Sequence, residues 1–258
     1  MLLRDGPSGR LEVLMLLRSK DLAFVGGSYV FPGGSLDEAD LDLARSTLVG
    51  GVDRLAAAMD DEPRAAGLAV AAVREAFEEA GLLIGARIQL DPIAARTLRT
   101  ALLAGECSFS EVVAAAGGLD LGSLRYVAHW VTPAGSPRRF DTRFFLAPAP
   151  IDEVASPDNG EATAVRWLEP AEALAAHETG TLPMVPPTAA NLAFLAECSS
   201  VADALERAAR LGPIPRIEPR LWRDGDTVRI ALPGEPAYER ESTTLAPGEA
   251  IPLLPPQP

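Results

Sequence analysis

Cysteine is almost missing from this chain. Cys107 and Cys198 are the two it has in 258 residues, far apart and in no Cys-x-x-Cys arrangement. That excludes a disulfide framework and a thiolate zinc site, and makes a reducing cytoplasm the expected compartment. Positive charge is scarce as well: 23 Lys plus Arg stand against 36 Asp plus Glu, a net charge of −13. No basic surface is on offer to nucleic acid or an anionic membrane, so neither is an expected partner. A polyphosphate would need local arginines or a bound cation. No apolar run approaches the ~18 residues of a membrane span. Residues 1–6 lack the basic and long apolar regions of a signal peptide. What remains is ordinary globular composition, 48% hydrophobic and 23% charged, and enough length to bury one sizeable core or two modest ones. It leaves the oligomeric state open, homodimer included.

The element pattern is mixed α and β. Leu2-Leu3 and the run 11–17 flank the turn formers Asp5-Gly6-Pro7-Ser8-Gly9, a hairpin signature. In the segment 24–34, Gly26-Gly27 and Gly33-Gly34 bracket a short apolar stretch. Residues 36–61 have helical spacing, interrupted at Gly50-Gly51. Pro63 suits the first turn of a helix that runs to Ala80 and stops at Gly81. Helices over 92–104 and 111–116 follow, the second with Ser108 and Glu111 as a capping box. Residues 124–131 alternate as a half-buried strand and pair with 140–146 across a Pro-Gly-rich turn. A strand at 164–168 precedes helices opened by Pro170 and Pro187 and a last one capped by Ser199 or Ser200, ending at Gly212. From 213 to 258 there are ten prolines in 46 residues, which marks a boundary: a main domain over 1–212 and an extension over 213–258. Within the extension, 220–223 and 227–230 around Asp224-Gly225-Asp226 read as a small hairpin.

The chemistry concentrates in Arg74-Glu75-Ala76-Phe77-Glu78-Glu79-Ala80-Gly81-Leu82. On a helix Glu75 lies three residues from Glu78 and four from Glu79, while Arg74 lies four from Glu78. Three acids this close repel unless a cation joins them, and oxygen-only donors suit Mg²⁺ or Mn²⁺. Taken alone, the cluster also fits a solvated acidic helix face.

With the glycine loop, the segment resembles the box of the Nudix (MutT-like) hydrolases, G-x5-E-x7-R-E-U-x-E-E-x-G-U. Residues 74–82 match its second half, with Ala76 small for its place. Phe31-Pro32-Gly33-Gly34 resembles the first half, with Asp40 where the box has Glu. Between Asp40 and Arg74 lie 33 residues instead of seven. Such an interrupted box is similar to that of a Nudix subgroup that includes a coenzyme A diphosphatase. Residues 16–19, 130–133 and 138–145 support the same likeness, which spans about 2–195.

The resemblance implies an α/β/α sandwich around a mixed sheet, with a helical insertion inside the box at about 41–62 and C-terminal helices. Leu41, Leu48, Val52, Leu55 and Met59 are spaced for a helical excursion beside the box helix. It implies Glu78 and Glu79 as metal ligands, Glu75 as a third ligand or the base, and Arg74 as an ion-pair partner fixing a glutamate. Gly34, with Gly33, would bring backbone carbonyls to the metal. Arg138, Arg139, Arg143 and Glu161 are the candidate substrate contacts. The implied activity is metal-dependent hydrolysis of a diphosphate linkage in a nucleoside diphosphate derivative, coenzyme A or acyl-coenzyme A first, NADH or ADP-ribose as alternatives. A non-catalytic Nudix-fold binding module is the alternative of another class. His129 and His177 read as isolated structural histidines, Trp130 as core, and both cysteines as small buried apolar residues.

Overall fold

The computed structural model describes residues 1–21, 25–59, 62–151 and 153–246. The expected features at Phe24, at Asp61 and in the last prolines lie outside them.

The organising strand is β2 (Leu11–Arg18), in which Val13, Leu14, Met15 and Leu16 are all buried. Successive side chains of a strand point to opposite faces, so an unbroken apolar run means that both faces are covered. Leu14 and Leu16 join one hydrophobic cluster with Val73, Phe77 and Leu82. Val13 and Met15 join a second with Leu182, Met184, Leu192 and Leu195. Two cores, one on each side of a sheet, make a three-layer α/β/α sandwich.

The sheet is mixed. Beside β2 lie β1 (Leu2–Asp5) and β3 (Tyr29–Val30), both antiparallel to it. Beyond β1, β7 (Asp141–Pro148) runs parallel to it, with Leu2 opposite Ala147. Next come β6 (Arg125–Val131), antiparallel to β7, and β9 (Arg216–Ile217), parallel to β6. A last strand, β8 (Ala162–Leu168), pairs with β2. The expected simple alternation in β6 is broken: Tyr126, Trp130 and Val131 are all buried, and the register shifts between Tyr126 and Ala128. Coverage of both faces removes the polar side that strict alternation needs.

The segment inside the box folds as helix, short strand, helix. α1 (Glu38–Ala44) and α2 (Asp53–Ala58) flank β4 (Val49–Gly50), which pairs with β5 (Leu119–Asp120). The expected break at Gly50-Gly51 is therefore a strand. Leu43 and Leu55 enter the core beneath α3 (Glu62–Ala80). At Gly67 of α3 a Cβ would fall 2.5 Å from Leu41 Cδ2, so a glycine there lets α1 lie against the helix. Gly81, at φ +75°, ends α3, and the Leu82 N–H reaches back to Ala76 O at 3.3 Å.

α4 (Pro92–Leu103) and α5 (Phe109–Ala115) complete this layer, and the Ser108–Glu111 capping box forms. On the other face lie α6 (Pro170–Glu178), α7 (Pro186–Ala196) and α8 (Val201–Ala209). Ser200 caps α8, which ends three residues before the expected stop at Gly212. In the extension, β10 (Arg220–Asp224) and β11 (Thr227–Ala231) pair as an antiparallel hairpin. No described helix is long and apolar enough to cross a membrane. Trp130 and Cys198 are buried, whereas Cys107 is only partly so.

Candidate active site

The glycine loop that follows β3 meets the C-terminal half of α3. Glu79, 7% exposed, accepts the Gly33 N–H at 2.9 Å. A Cβ on Gly34 would fall 2.5 Å from Glu75 Cδ, so the loop backbone and the Glu75 carboxylate share a space that no side chain can enter. The two sequence segments thus form one site despite the insertion between them.

Arg74 organises the acids. Its Nε and Nη2 each donate to Asp40 at 3.0 Å, Nη1 donates to Glu75 at 2.9 Å and to Glu78 at 3.0 Å, and Nη2 also reaches Ser35 O at 2.7 Å. Burial alone would weaken the charge on Arg74, but Asp40, Glu75 and Glu78 outweigh it and hold the guanidinium cationic. Asp40 is 2% exposed and also closes the start of α1 by accepting the Asp37 N–H.

The carboxylates are poised high. Burial pushes Glu79 up to about 8, with the Gly33 N–H and Arg18 pulling down and Glu75 and Glu161 pushing further up. Burial likewise raises Glu75 to about 6 against the pull of Arg74, and raises Glu78. Among the described residues no three His, Cys, Asp or Glu side chains are gathered tightly enough to hold an ion; Arg74 bonds Glu75 and Glu78, while Glu79 is bonded to the loop. The donor chemistry nevertheless fits a hard divalent cation: only oxygens, a surplus of negative charge, and a buried carboxylate whose burial opposes its ionisation.

Of two positioning residues, one carried no signal in the sequence and the other was read only as part of the likeness over 16–19. Arg99 of α4 donates to Glu78 O at 2.9 and 2.8 Å and to Ser156, fixing the end of α3 by its main chain. Arg18, at the end of β2, lies 3.7 Å from Glu161. Strand alternation puts it on the same face as Leu14 and Leu16, beneath α3. Among the described residues its Nε is buried without a hydrogen-bond partner.

The other candidate contacts scatter. Glu161 stands immediately before β8 and is electrostatically coupled to Glu75 and Glu79. Arg138 is exposed on the β6–β7 turn, and Arg139 is tied to Glu218 and Thr132 O. Arg143 pairs with Asp141 at 2.6 Å. His129 is not isolated, because its Nε2–H donates to the same Asp141 oxygen at 2.6 Å. Burial would raise Asp141, but His129 and Arg143 overcome that and hold the carboxyl below its usual range. The partner was invisible in the sequence because it comes from across the β6–β7 pair.

The fold is that of a Nudix hydrolase. A crystal structure of a Nudix hydrolase from Alicyclobacillus acidocaldarius is similar with a TM-score of 0.71 and 34% identity, covering 83% of this chain and 95% of that one. Residues 51–195, more than half of the chain, match the family described as the NUDT19 Nudix domain, and the chain belongs to that family. The acyl-coenzyme A diphosphatase NUDT19 of Homo sapiens is 27% identical over 94% of this chain and 76% of its own length. The putative nudix hydrolase 7 of Caenorhabditis elegans is 28% identical, and the match spans 72% of this chain but only 56% of that protein. Nudix hydrolases generally need divalent metal ions.

Proposed function

We propose that this enzyme hydrolyses the diphosphate bond of coenzyme A or an acyl-coenzyme A, giving the (acyl-)phosphopantetheine and adenosine 3′,5′-bisphosphate. The substrate choice rests on the likeness to relatives named acyl-coenzyme A diphosphatase. NADH and ADP-ribose are the competing substrates. The observation that carries the chemistry is buried Glu79, bonded to the glycine loop and coupled to Glu75 and Glu161 in a setting that demands a cation.

In this reading Glu78 and Glu79 hold Mg²⁺ or Mn²⁺, with Glu75 as third ligand or as the base for the attacking water, and Gly34 lends its backbone. The bound cation would neutralise charge on the phosphate oxygens and lower the pKa of water. Water attacks one phosphorus in line and the bridging P–O bond breaks; no covalent intermediate is needed. Arg74, held by Asp40, keeps Glu75 and Glu78 in place. Burial holds the metal-free Glu75 carboxyl up at about 6, and a cation bound beside it would pull it back toward the ionised form that a ligand or base needs. Glu161 and the arginines of the β6–β7 hairpin border the substrate.

We further place the catalytic domain at 1–212, with 213–258 as an extension whose described part, 213–246, lies against it through β9 and buried Leu221 and Ala231. The two free cysteines suit a cytoplasmic location. The test is a screen of diphosphate compounds with Mg²⁺ and with Mn²⁺, products read by mass spectrometry. Cleavage of coenzyme A to the two named products supports the reading. Faster cleavage of NADH or ADP-ribose rejects the substrate, and no cleavage of any compound favours a binding module.

A further inference from the structure

His129, Asp141 and Arg143 form a cluster on the sheet face that carries the carboxylates. Along β7, Phe145 packs in the core beneath α3, so Arg143 and Asp141, two and four residues earlier, share its face. His129 stands directly opposite Arg143 on β6. One Asp141 oxygen takes both His129 Nε2 and Arg143 Nη1, each at 2.6 Å. The side chains of His129 and Arg143 are only 13% and 15% exposed. Asp141 thereby pins Arg143 through Nη1, and among the described residues nothing else takes Arg143 Nε and Nη2, a fork that matches a phosphate.

The register fixes how far this cluster lies from Arg18. Leu3 pairs with Val13 on one side and Pro148 on the other. Five residues on from Val13 is Arg18, and five back from Pro148 is Arg143; β2 and β7 run in opposite directions, so both stand at the same level. Two strand spacings, about 10 Å, separate β2 from β7 where β1 lies between them, and the twist of the sheet widens that gap at the level of Arg18 and Arg143, beyond the start of β1. Arg18 is coupled to Glu79. A nucleotide whose diphosphate lies at the carboxylates therefore has room for its sugar before a further anionic group meets Arg143.

We propose that Arg143, oriented by Asp141 and with His129 holding Asp141 in place, binds a phosphate monoester on the substrate's ribose, the 3′-phosphate of coenzyme A, and so selects against dinucleotides that lack it. The inference rests on the coenzyme A reading of the site. Of the three hairpin arginines it selects Arg143. Arg139 is already held by Glu218, and Arg138 stands exposed on a turn, where ordering the side chain costs more entropy on binding.

The test compares kcat/KM on coenzyme A and on dephospho-coenzyme A for the wild type, Arg143→Gln, Arg143→Lys and Asp141→Asn. Melting curves establish that each variant is folded. The wild type should prefer coenzyme A by about tenfold or more, the size of one hydrogen-bonded charge contact. Arg143→Gln should erase that preference mainly through KM, with Arg143→Lys and Asp141→Asn between. A preference that survives Arg143→Gln, or an equal loss on both compounds, overturns the proposal. Calorimetry with adenosine 3′,5′-bisphosphate and AMP on the metal-loaded protein separates this from the reaction itself. If the wild type cleaves neither coenzyme the substrate reading falls, while tighter binding of the bisphosphate that Arg143→Gln abolishes still upholds the anion site. Equal binding of both nucleotides by the wild type overturns it.

Discussion

Arg74 and Asp40 meet through two parallel hydrogen bonds of 3.0 Å each, across 33 intervening residues. Asp40 is almost wholly buried, and Arg74 is the same residue that holds Glu75 and Glu78. The pair closes the insertion at its base and sets the carboxylates at the same time.

Asp40→Asn leaves the Arg74 charge buried and short of its partner. Breaking a buried pair from one side costs about 3–5 kcal/mol. Urea denaturation should show a loss of that order, together with reduced turnover; an unchanged midpoint would remove the pair from the support of the site.

Glu78→Gln and Glu79→Gln each remove a charged oxygen while keeping shape. Turnover with saturating Mg²⁺ should fall by about two orders of magnitude or more, since the metal contributes several kcal/mol and each ~1.4 kcal/mol is tenfold. Steady-state kinetics on the identified substrate checks this. Near-wild-type turnover in both variants sinks the metal assignment.

The metal-free protein should lose stability as pH rises. Glu79 has a folded pKa of about 8 and Glu75 one of about 6, against an unfolded value of 4.5. Between those values the folded state binds more protons than the unfolded one, so the stability due to each group is full below about 4.5 and declines up to its folded pKa. Calorimetry in EDTA should show Tm falling from pH 5 to about 8, Glu79→Gln should flatten the slope, and Mg²⁺ should raise Tm more at pH 8 than at pH 5.

Gly34→Ala should impair catalysis far more than folding. The new methyl group would sit 2.5 Å from Glu75 Cδ and push that carboxylate aside. A displacement of about 1 Å in a catalytic group costs up to ~100-fold. A variant with wild-type kcat and an unshifted melting curve would show that Glu75 need not stand where it does.

Leu55, 1% exposed, belongs to the insertion yet lies in the main core. Leu55→Ala should destabilise by about 2–5 kcal/mol, measured by denaturant titration. A loss under ~0.5 kcal/mol, the range of surface substitutions, would make the insertion an appendage.

The layered fold was legible because its signals are local: the apolar run of β2, Gly81 after α3, the Ser108–Glu111 capping box, and proline at the starts of α6 and α7. The box residues were singled out by their resemblance to the family motif, because their spacing alone fits a solvated acidic helix face as well. Unreadable were the features made by strand neighbours or by distant helices. Arg99 binding Glu78 O, Asp141 binding His129, and the pairing of β4 with β5 each join segments whose separation no periodicity encodes. The same reason explains β6, whose second face is covered by elements from elsewhere in the chain.

A loop clamped at both ends by Asp40 and Arg74 isolates the active site from the length of chain between them. Closure entropy grows slowly, about 0.6 kcal/mol per doubling of length. The exposed corner at Arg45 and Thr47 between α1 and β4 is therefore a graft point: a reporter peptide or a small folded module spliced there would ride on the enzyme without moving Glu75, Glu78 or Glu79.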